Sequence, residues 1–302
     1  MTVRVLVTND DGIAAPGIRW LARAVADRGY DVVVAAPSEE ASGTSAAMIA
    51  TEREGRVVVE EHEIEELAGI PAYGVAGSPG FITLIAIHGA FGPPPTVVVS
   101  GVNRGANVGR AVLHSGTVGA AFTAAANGCH ALAVSLDVLS VGEGTTGSGG
   151  AAVASSGRFR DEVRNWATAA RVAVDLLPRL TSGPLECVLN VNAPDRPYEE
   201  LLGVRAGALA GFGQVQMTVA ESGRGFVRTA LEESGEQVRP GTDVAWLAAG
   251  YASVTAVRAI TEATDVDLSE LDDPSGSGDL PGSGRLSGSD ELPGSNGSGR
   301  RG

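Results

Sequence analysis

Short apolar runs and helical stripes alternate along the first half of the chain. Val3–Val7 is interrupted only by Arg4, and Ile18, Leu21, Ala22 and Val25 follow at helical spacing, with Pro16 near the start and Gly29 at the close. "DVVVAAP" predicts a second buried strand and Tyr73–Val75 a shorter one. "SPGFITLIAIHG" predicts a helix capped by Ser78, with Pro79 in its first turn and Phe81, Leu84, Ile85 and His88 in one stripe. "TVVVS" is a further strand. After a polar, glycine-rich loop come a helix carrying Val118, Ala121, Phe122 and Ala125, ending at Gly128, and the strand "ALAVSL". Strands apolar on both faces and separated by helices predict an α/β, Rossmann-like, doubly wound, mostly parallel sheet.

The pattern is less regular further on. Val163, Trp166, Ala167, Ala170, Val174 and Leu177 predict a long helix, and "CVLNVNAP" a strand. Weak alternation over Arg205–Arg228 predicts an extended hairpin, and "DVAWLAAGYASVTAV" a short helix turning into a final strand. These patterns divide the chain into a core at 1–137, a remainder with the hairpin at 138–265, and a Gly-, Ser- and Asp-rich acidic tail at 266–302 that reads as disordered. "VGEGTTGSGGAAVASSG" reads as a flexible loop.

Composition narrows the chemistry. A formal charge of -14 argues against a nucleic-acid duplex or an anionic membrane as partner, because both demand surplus cations. All 22 basic residues are arginine, which excludes a P-loop lysine, a pyridoxal Schiff base and a lysine general base. Cys129 and Cys187 lack metal-site or disulfide-framework spacing. No apolar run approaches membrane-spanning length and no leader pattern precedes the first strand, so a cytoplasmic protein is expected.

Ligands of open parallel sheets bind beyond the carboxyl ends of the strands. Three segments fall there: "TNDDG", "SEEASGTS" and "SGVNRGANVGRAVLHSGT". "NDDG" alone is compatible with an ordinary turn. Adjacent carboxylates at a strand end nevertheless repel, and both stay ionised comfortably only beside a cation or hydrogen-bond donors. Asp10 and Asp11, with neutral oxygens from Ser42-Gly43 and Asn103, form a donor set suited to Mg²⁺ or Mn²⁺, other divalent ions remaining open. Zinc is disfavoured, because His114 is the sole His or Cys in these loops. Ser115-Gly116-Thr117 opens a helix whose N–H groups favour an anion, so a phosphate beside the ion would be gripped from both sides. Ser115 as a plain helix cap, His114 as a structural residue or as proton donor to a leaving group, and Arg104 and Arg110 as anion contacts or solvated charges all remain open at this point.

Taken together, "VLVTNDDGIAAPGI", "AAPSEEASG", "VVVSGVNRGANVG", "HSGTVGAA", "LAVSL", "LNVNAP" and "GTDVAWLAAGYASVT" resemble the SurE family of survival-protein nucleotidases and phosphatases, in its order and spacing from Met1 to about Ile260. The resemblance implies a divalent-metal phosphomonoesterase acting on nucleoside 5′-monophosphates, with one ion per subunit on Asp10, Asp11, Ser42 and Asn103. It implies a Rossmann-like first part and an extended hairpin that supports a homodimer or homotetramer. Asp10, Asp11 and Asn103 are the expected catalytic residues; Asn9, Gly43, Asn107, Ser115, Gly116 and Thr117 are the expected phosphate contacts. The chain departs from the family at Ser38-Glu39, where an Asp-Arg pair is usual, at "GSP" for "GTP" followed by Gly80-Phe81, in a hairpin poor in arginine, and in its tail.

The expected partner is thus a small phosphorylated metabolite. A sugar phosphate or pathway-specific phosphate is the alternative substrate, and a non-catalytic metal-binding scaffold the alternative of another class. A nicotinamide enzyme would need a glycine fingerprint after the first strand, where this chain has acids. A sugar-nucleotide transferase would release sugar instead of inorganic phosphate.

Overall fold

A computed structural model describes residues 2–138, 163–184, 186–211, 215–224, 226–233, 238–258 and 260–267. The loop expected over Val141–Gly157 and nearly all of the acidic tail lie outside these residues. Met1–Ile260 forms one compact unit and Thr261–Gly302 a second. The second is described only over Thr261–Asp267, where Val266 N–H donates to the Ala263 carbonyl.

The first unit runs in order through β1 (Arg4–Thr8), α1 (Pro16–Asp27), β2 (Asp31–Pro37), the small pair β3 (Glu52–Arg53) and β4 (Arg56–Val57), β5 (Val59–Glu61), β6 (Ala72–Val75) and α2 (Pro79–Ile87). It continues with β7 (Val97–Arg104), α3 (Gly116–Ala126), β8 (His130–Asp137), α4 (Trp166–Thr181), β9 (Val188–Pro194), β10 (Val204–Ala206), β11 (Val215–Gly223), β12 (Phe226–Glu233), α5 (Asp243–Ala248) and β13 (Ala252–Val257). Nine strands form one sheet in the order β10-β13-β9-β8-β7-β1-β2-β6-β5. β6, β2, β1, β7, β8 and β9 are mutually parallel; β5 runs antiparallel to β6, and β13 to β9.

Side chains of a strand point alternately to opposite faces, so the apolar runs bury both sides of the sheet. Val5 and Val7 meet Ile18, Leu21 and Val25 of α1 and Trp166, Ala170 and Leu177 of α4. Leu6, Val33 and Val98 turn the other way onto Ile82 and Ala86 of α2 and Val118, Ala121 and Ala124 of α3. A fully buried leucine such as Leu21 contributes about 2 kcal/mol through lost apolar exposure.

Four expectations change. The buried face of α2 is Ile82, Thr83 and Ala86, whereas Phe81, Leu84 and Ile85 are half-buried and His88 exposed: a helix apolar all round carries no periodic signal for its face. Val163 is exposed, and α4 begins at Trp166. β7 continues through "SGVNR", placing Asn103 on strand instead of loop. Val204–Ala206 pairs with β13 in the main sheet, and the hairpin is β11–β12, displaced toward the C-terminus.

Candidate functional site

β1 lies between β2 and β7 in parallel register, so the segments leaving all three strands converge at one edge. The chain leaves β1 through a turn clamped by Asn9. Asn9 is fully buried; its Nδ2 donates to the Gly12 carbonyl at 3.0 Å and its Oδ1 accepts the Gly12 N–H at 3.1 Å. Gly12 has φ +97°, a left-handed conformation in which a side chain would be strained. Asn9, an expected phosphate contact, thus sets the turn that presents the next two acids, with both amide atoms bonded to Gly12.

Asp10 is buried and Asp11 partly buried. The Thr117 hydroxyl donates to Asp10 Oδ1, and the Thr117 backbone N–H also bonds this carboxylate. The start of α3 thus faces an anion, as its free N–H groups and dipole favour, but the anion is a side chain of the protein. A Cβ built on Gly116 would lie 2.8 Å from Asp10 Oδ2 and 3.1 Å from Thr44 Oγ1, so only glycine admits this approach. Asp11 Oδ2 accepts the Arg104 N–H at 3.1 Å, which ties the pair to the end of β7.

Burial raises the Asp10 carboxyl above the ordinary range, against the lowering effect of the Thr117 bonds. Burial and then the Asp10 charge push Asp11 up to about 8, while the Arg104 N–H and charge oppose the shift. Glu40 adds negative charge near both acids. A divalent cation would reverse each of these destabilising effects, and that is the sense in which the residues fit one.

The other expected ligands lie in segments tied to the acids through neighbouring backbone: Asn103 precedes Arg104, whose N–H Asp11 accepts, and Ser42 follows Ala41, whose N–H donates to the Asp10 carbonyl. Asn103 Nδ2 donates to the Gly105 carbonyl at 2.7 Å, which orients the amide and leaves its oxygen as the acceptor end. Ser42 is exposed, and its hydroxyl donates to Glu40 Oε1 at 2.7 Å while its lone pairs remain oxygen donors. Gly43, exposed at φ +76°, follows in the same loop.

Two expected phosphate contacts have other tasks. Asn107 is buried; its N–H donates to Asn192 Oδ1 at 2.7 Å, its Nδ2 to Ser135 Oγ at 2.9 Å, and its carbonyl accepts Asn190 Nδ2 and Asn192 Nδ2. It acts as a strut between the loop after β7 and strands β8 and β9. The Ser115 hydroxyl caps α3 by accepting the Val118 N–H at 3.1 Å. His114 is exposed at the end of the 3₁₀ turn Gly109–His114, immediately before that cap, and Arg110 is exposed within it.

Sequence reasoning missed Glu40, Thr44 and Asp243. The buried Asp243 carboxylate accepts N–H groups from Gly109 at 2.7 Å and from Ala210 and Val244 at 2.9 Å, anchoring the loop that carries Asn107. The short helix expected from "DVAWLAAGYASVTAV" forms as α5, capped by Thr242, whose side chain accepts the Ala245 N–H. The long-range bond to Gly109 had no local signal.

Strand order and strand-end acids define a class: doubly wound α/β proteins with a paired-carboxylate site at the tip of the first strand. A family model described as "Survival protein SurE" matches residues 5–215, and the chain belongs to that family. It is similar to the "5'-nucleotidase SurE" of Alkalilimnicola ehrlichii, 34% identical over 271 residues, 88% of this chain and 93% of the relative. It is also similar to the protein of that name from Xanthomonas axonopodis pv. citri, 32% identical over 84% of this chain and 89% of the relative. The solved structure of the SurE protein from Aquifex aeolicus superposes with a TM-score of 0.69 at 26% identity, covering 89% of this chain and 100% of that one.

Proposed function

We propose that the protein is a divalent-metal-dependent phosphatase that hydrolyses nucleoside 5′-monophosphates. The observation that carries this reading is the arrangement at the tip of β1, where two adjacent acids meet the end of β7 and the N-terminus of α3. Relatives covering most of the chain carry the name 5'-nucleotidase and support the same reading.

Asp10, Asp11, Ser42 and Asn103 would hold one Mg²⁺ or Mn²⁺. A bound ion supplies Lewis-acid polarisation of a phosphoryl oxygen. The residues of the chain do the rest. The Thr117 hydroxyl favours the ionised form of Asp10 and the Arg104 N–H that of Asp11, each opposing the stronger effect of burial. Gly116, whose missing side chain admits Asp10, and Gly43, at a left-handed φ beside Ser42, would offer their amides to phosphoryl oxygens as charge spreads over them. Hydrolysis replaces the P–O bond to the leaving oxygen with one to water; one of the two acids takes one water proton, which ends on the released hydroxyl, and the other proton stays on the phosphate.

Among the described residues no helix is long and apolar enough to cross a membrane, and a cytoplasmic setting completes the reading. β11–β12 forms its own two-stranded sheet with Phe226 and Val227 exposed near its turn, a surface suited to a second copy in a homodimer or homotetramer. The experiment is a phosphate-release screen over nucleoside monophosphates and sugar phosphates with Mg²⁺, Mn²⁺ or chelator. Metal-dependent release from nucleotides is expected; full release in chelator, or retained turnover in Asp11→Asn, would sink the reading.

A further inference from the structure

Polar residues interrupt the apolar face of the sheet where β8, β9 and β13 lie side by side. Asn192 pairs with Ser135 on one side and Ser253 on the other, and Asn190 pairs with Thr255. Ala131, Ala133, Val188 and Val257 pack into the core shared with α2 and α3, so strand alternation puts Ser135, Asn190, Asn192, Ser253 and Thr255 on that same side. All five are buried. Asn190 Oδ1 and the Ser253 and Thr255 hydroxyls are among the buried polar atoms that make no hydrogen bond. A polar patch left partly unsatisfied inside a core costs stability, so its task lies elsewhere than in holding the sheet together.

That task is visible at Asn192. Its amide clamps the main chain of a residue 85 positions away: Oδ1 accepts the Asn107 N–H at 2.7 Å, and Nδ2 donates to the Asn107 carbonyl at 2.9 Å. One side-chain amide thus grips both polar groups of a single residue, as Asn9 does at Gly12. Asn190 Nδ2 adds a second donor to the Asn107 carbonyl at 2.8 Å. Both amides stand on β9, which has β8 and β13 hydrogen-bonded on either side, so the clamp has a firm base.

Asn107 lies within the segment that supplies donors to both acids. Asp11 accepts the Arg104 N–H where that segment leaves β7, and Asp10 is bound by the Thr117 hydroxyl and N–H where it enters α3. A displacement of the Asn107 backbone is therefore passed along the chain toward both donors.

We propose that Asn192 is a positioning residue of the acid site: from β9 it fixes the Asn107 backbone, and through it the two donors that hold Asp10 and Asp11 in place for a divalent cation. The proposal rests on the metal-site reading above and deepens it.

Asn192→Leu keeps roughly the side-chain volume and removes donor and acceptor together. Calorimetric Mn²⁺ affinity is expected to fall by about tenfold. In metal-free protein, hydrogen exchange at the Arg104 and Thr117 amides is expected to quicken by about tenfold or more, while amides of β2 keep their wild-type rates. A general loss of stability would quicken β2 equally, and that outcome overturns the proposal. So does an unchanged Mn²⁺ affinity in the folded variant where the wild type binds the ion. Should Asn192→Leu not fold, Asn192→Asp, which keeps the acceptor and loses the donor, decides by the same two readouts. Quickening confined to Arg104 and Thr117, in a protein whose wild type binds no Mn²⁺, upholds the clamp and removes the metal-site reading instead.

Discussion

The Ser42 hydroxyl donates to Glu40 Oε1 at 2.7 Å, so an acid outside the proposed ligand set orients a residue within it. Groups that orient ligands without touching the ion commonly change metal affinity by about 10–100-fold. Glu40 also adds negative charge near Asp10 and Asp11. Glu40→Ala is expected to weaken Mn²⁺ binding by about tenfold in calorimetric titration. Glu40→Gln keeps an acceptor for Ser42 and should fall between the two. Equal affinity in all three proteins would leave Glu40 without a role.

Thr117 supplies the second test. It is fully buried and binds Asp10 through both its hydroxyl and its N–H. Thr117→Val conserves shape and deletes only the hydroxyl, leaving a buried carboxylate short of one donor. Expected are a kcat/KM about tenfold or more below wild type and weaker metal binding, with recovery in Thr117→Ser. Full activity in the valine variant would show that the backbone bond suffices.

Much of this arrangement was legible in the sequence. β1, β2 and α1 announced themselves through valine runs, Pro16 and Gly29, and Asp10 and Asp11 through the oddity of consecutive acids where a buried strand ends. β5 was missed because Val59–Glu61 is exposed and two-thirds acidic, so its pairing with β6 leaves no alternation to read. Asn103 read as loop because "SGVNR" is polar, although it continues β7 against β8. Glu40, Thr44 and Asp243 depend on contacts made by the folded chain: the Asp243 bond to Gly109 spans 134 positions, and nothing near either residue foretells it.

Metal-free protein should show an inverse dependence of stability on pH. Burial and Asp10 push Asp11 up to about 8 from an ordinary 3.8. Between those values the folded state holds a proton that the unfolded chain has released, so stability is full below the window and declines as pH rises through it. Thermal melts in chelator should fall in midpoint between about pH 5 and pH 8. Asp11→Asn cannot ionise, so its slope should be shallower and its midpoint above wild type at the alkaline end. Added Mn²⁺ should raise the wild-type midpoint and leave the variant nearly unmoved.

Asp243 links the C-terminal elements to the loop after β7, and its removal should be costly. One carboxylate satisfies N–H groups of Gly109, Ala210 and Val244 in a site closed to water. Asp243→Ala strands all three donors and opens a small void, a loss of about 3 kcal/mol or more. Asp243→Asn matches the volume but turns an NH₂ toward at least one N–H, so it should recover only part of that loss. Urea unfolding followed by circular dichroism reads the difference in midpoint. Gly109 begins the 3₁₀ turn that leads to Ser115 and α3, so the alanine variant should also bind Mn²⁺ more weakly although Asp243 is not among the proposed ligands. A destabilised variant with wild-type metal affinity would confine Asp243 to holding the fold and leave the acid corner independent of the loop it anchors.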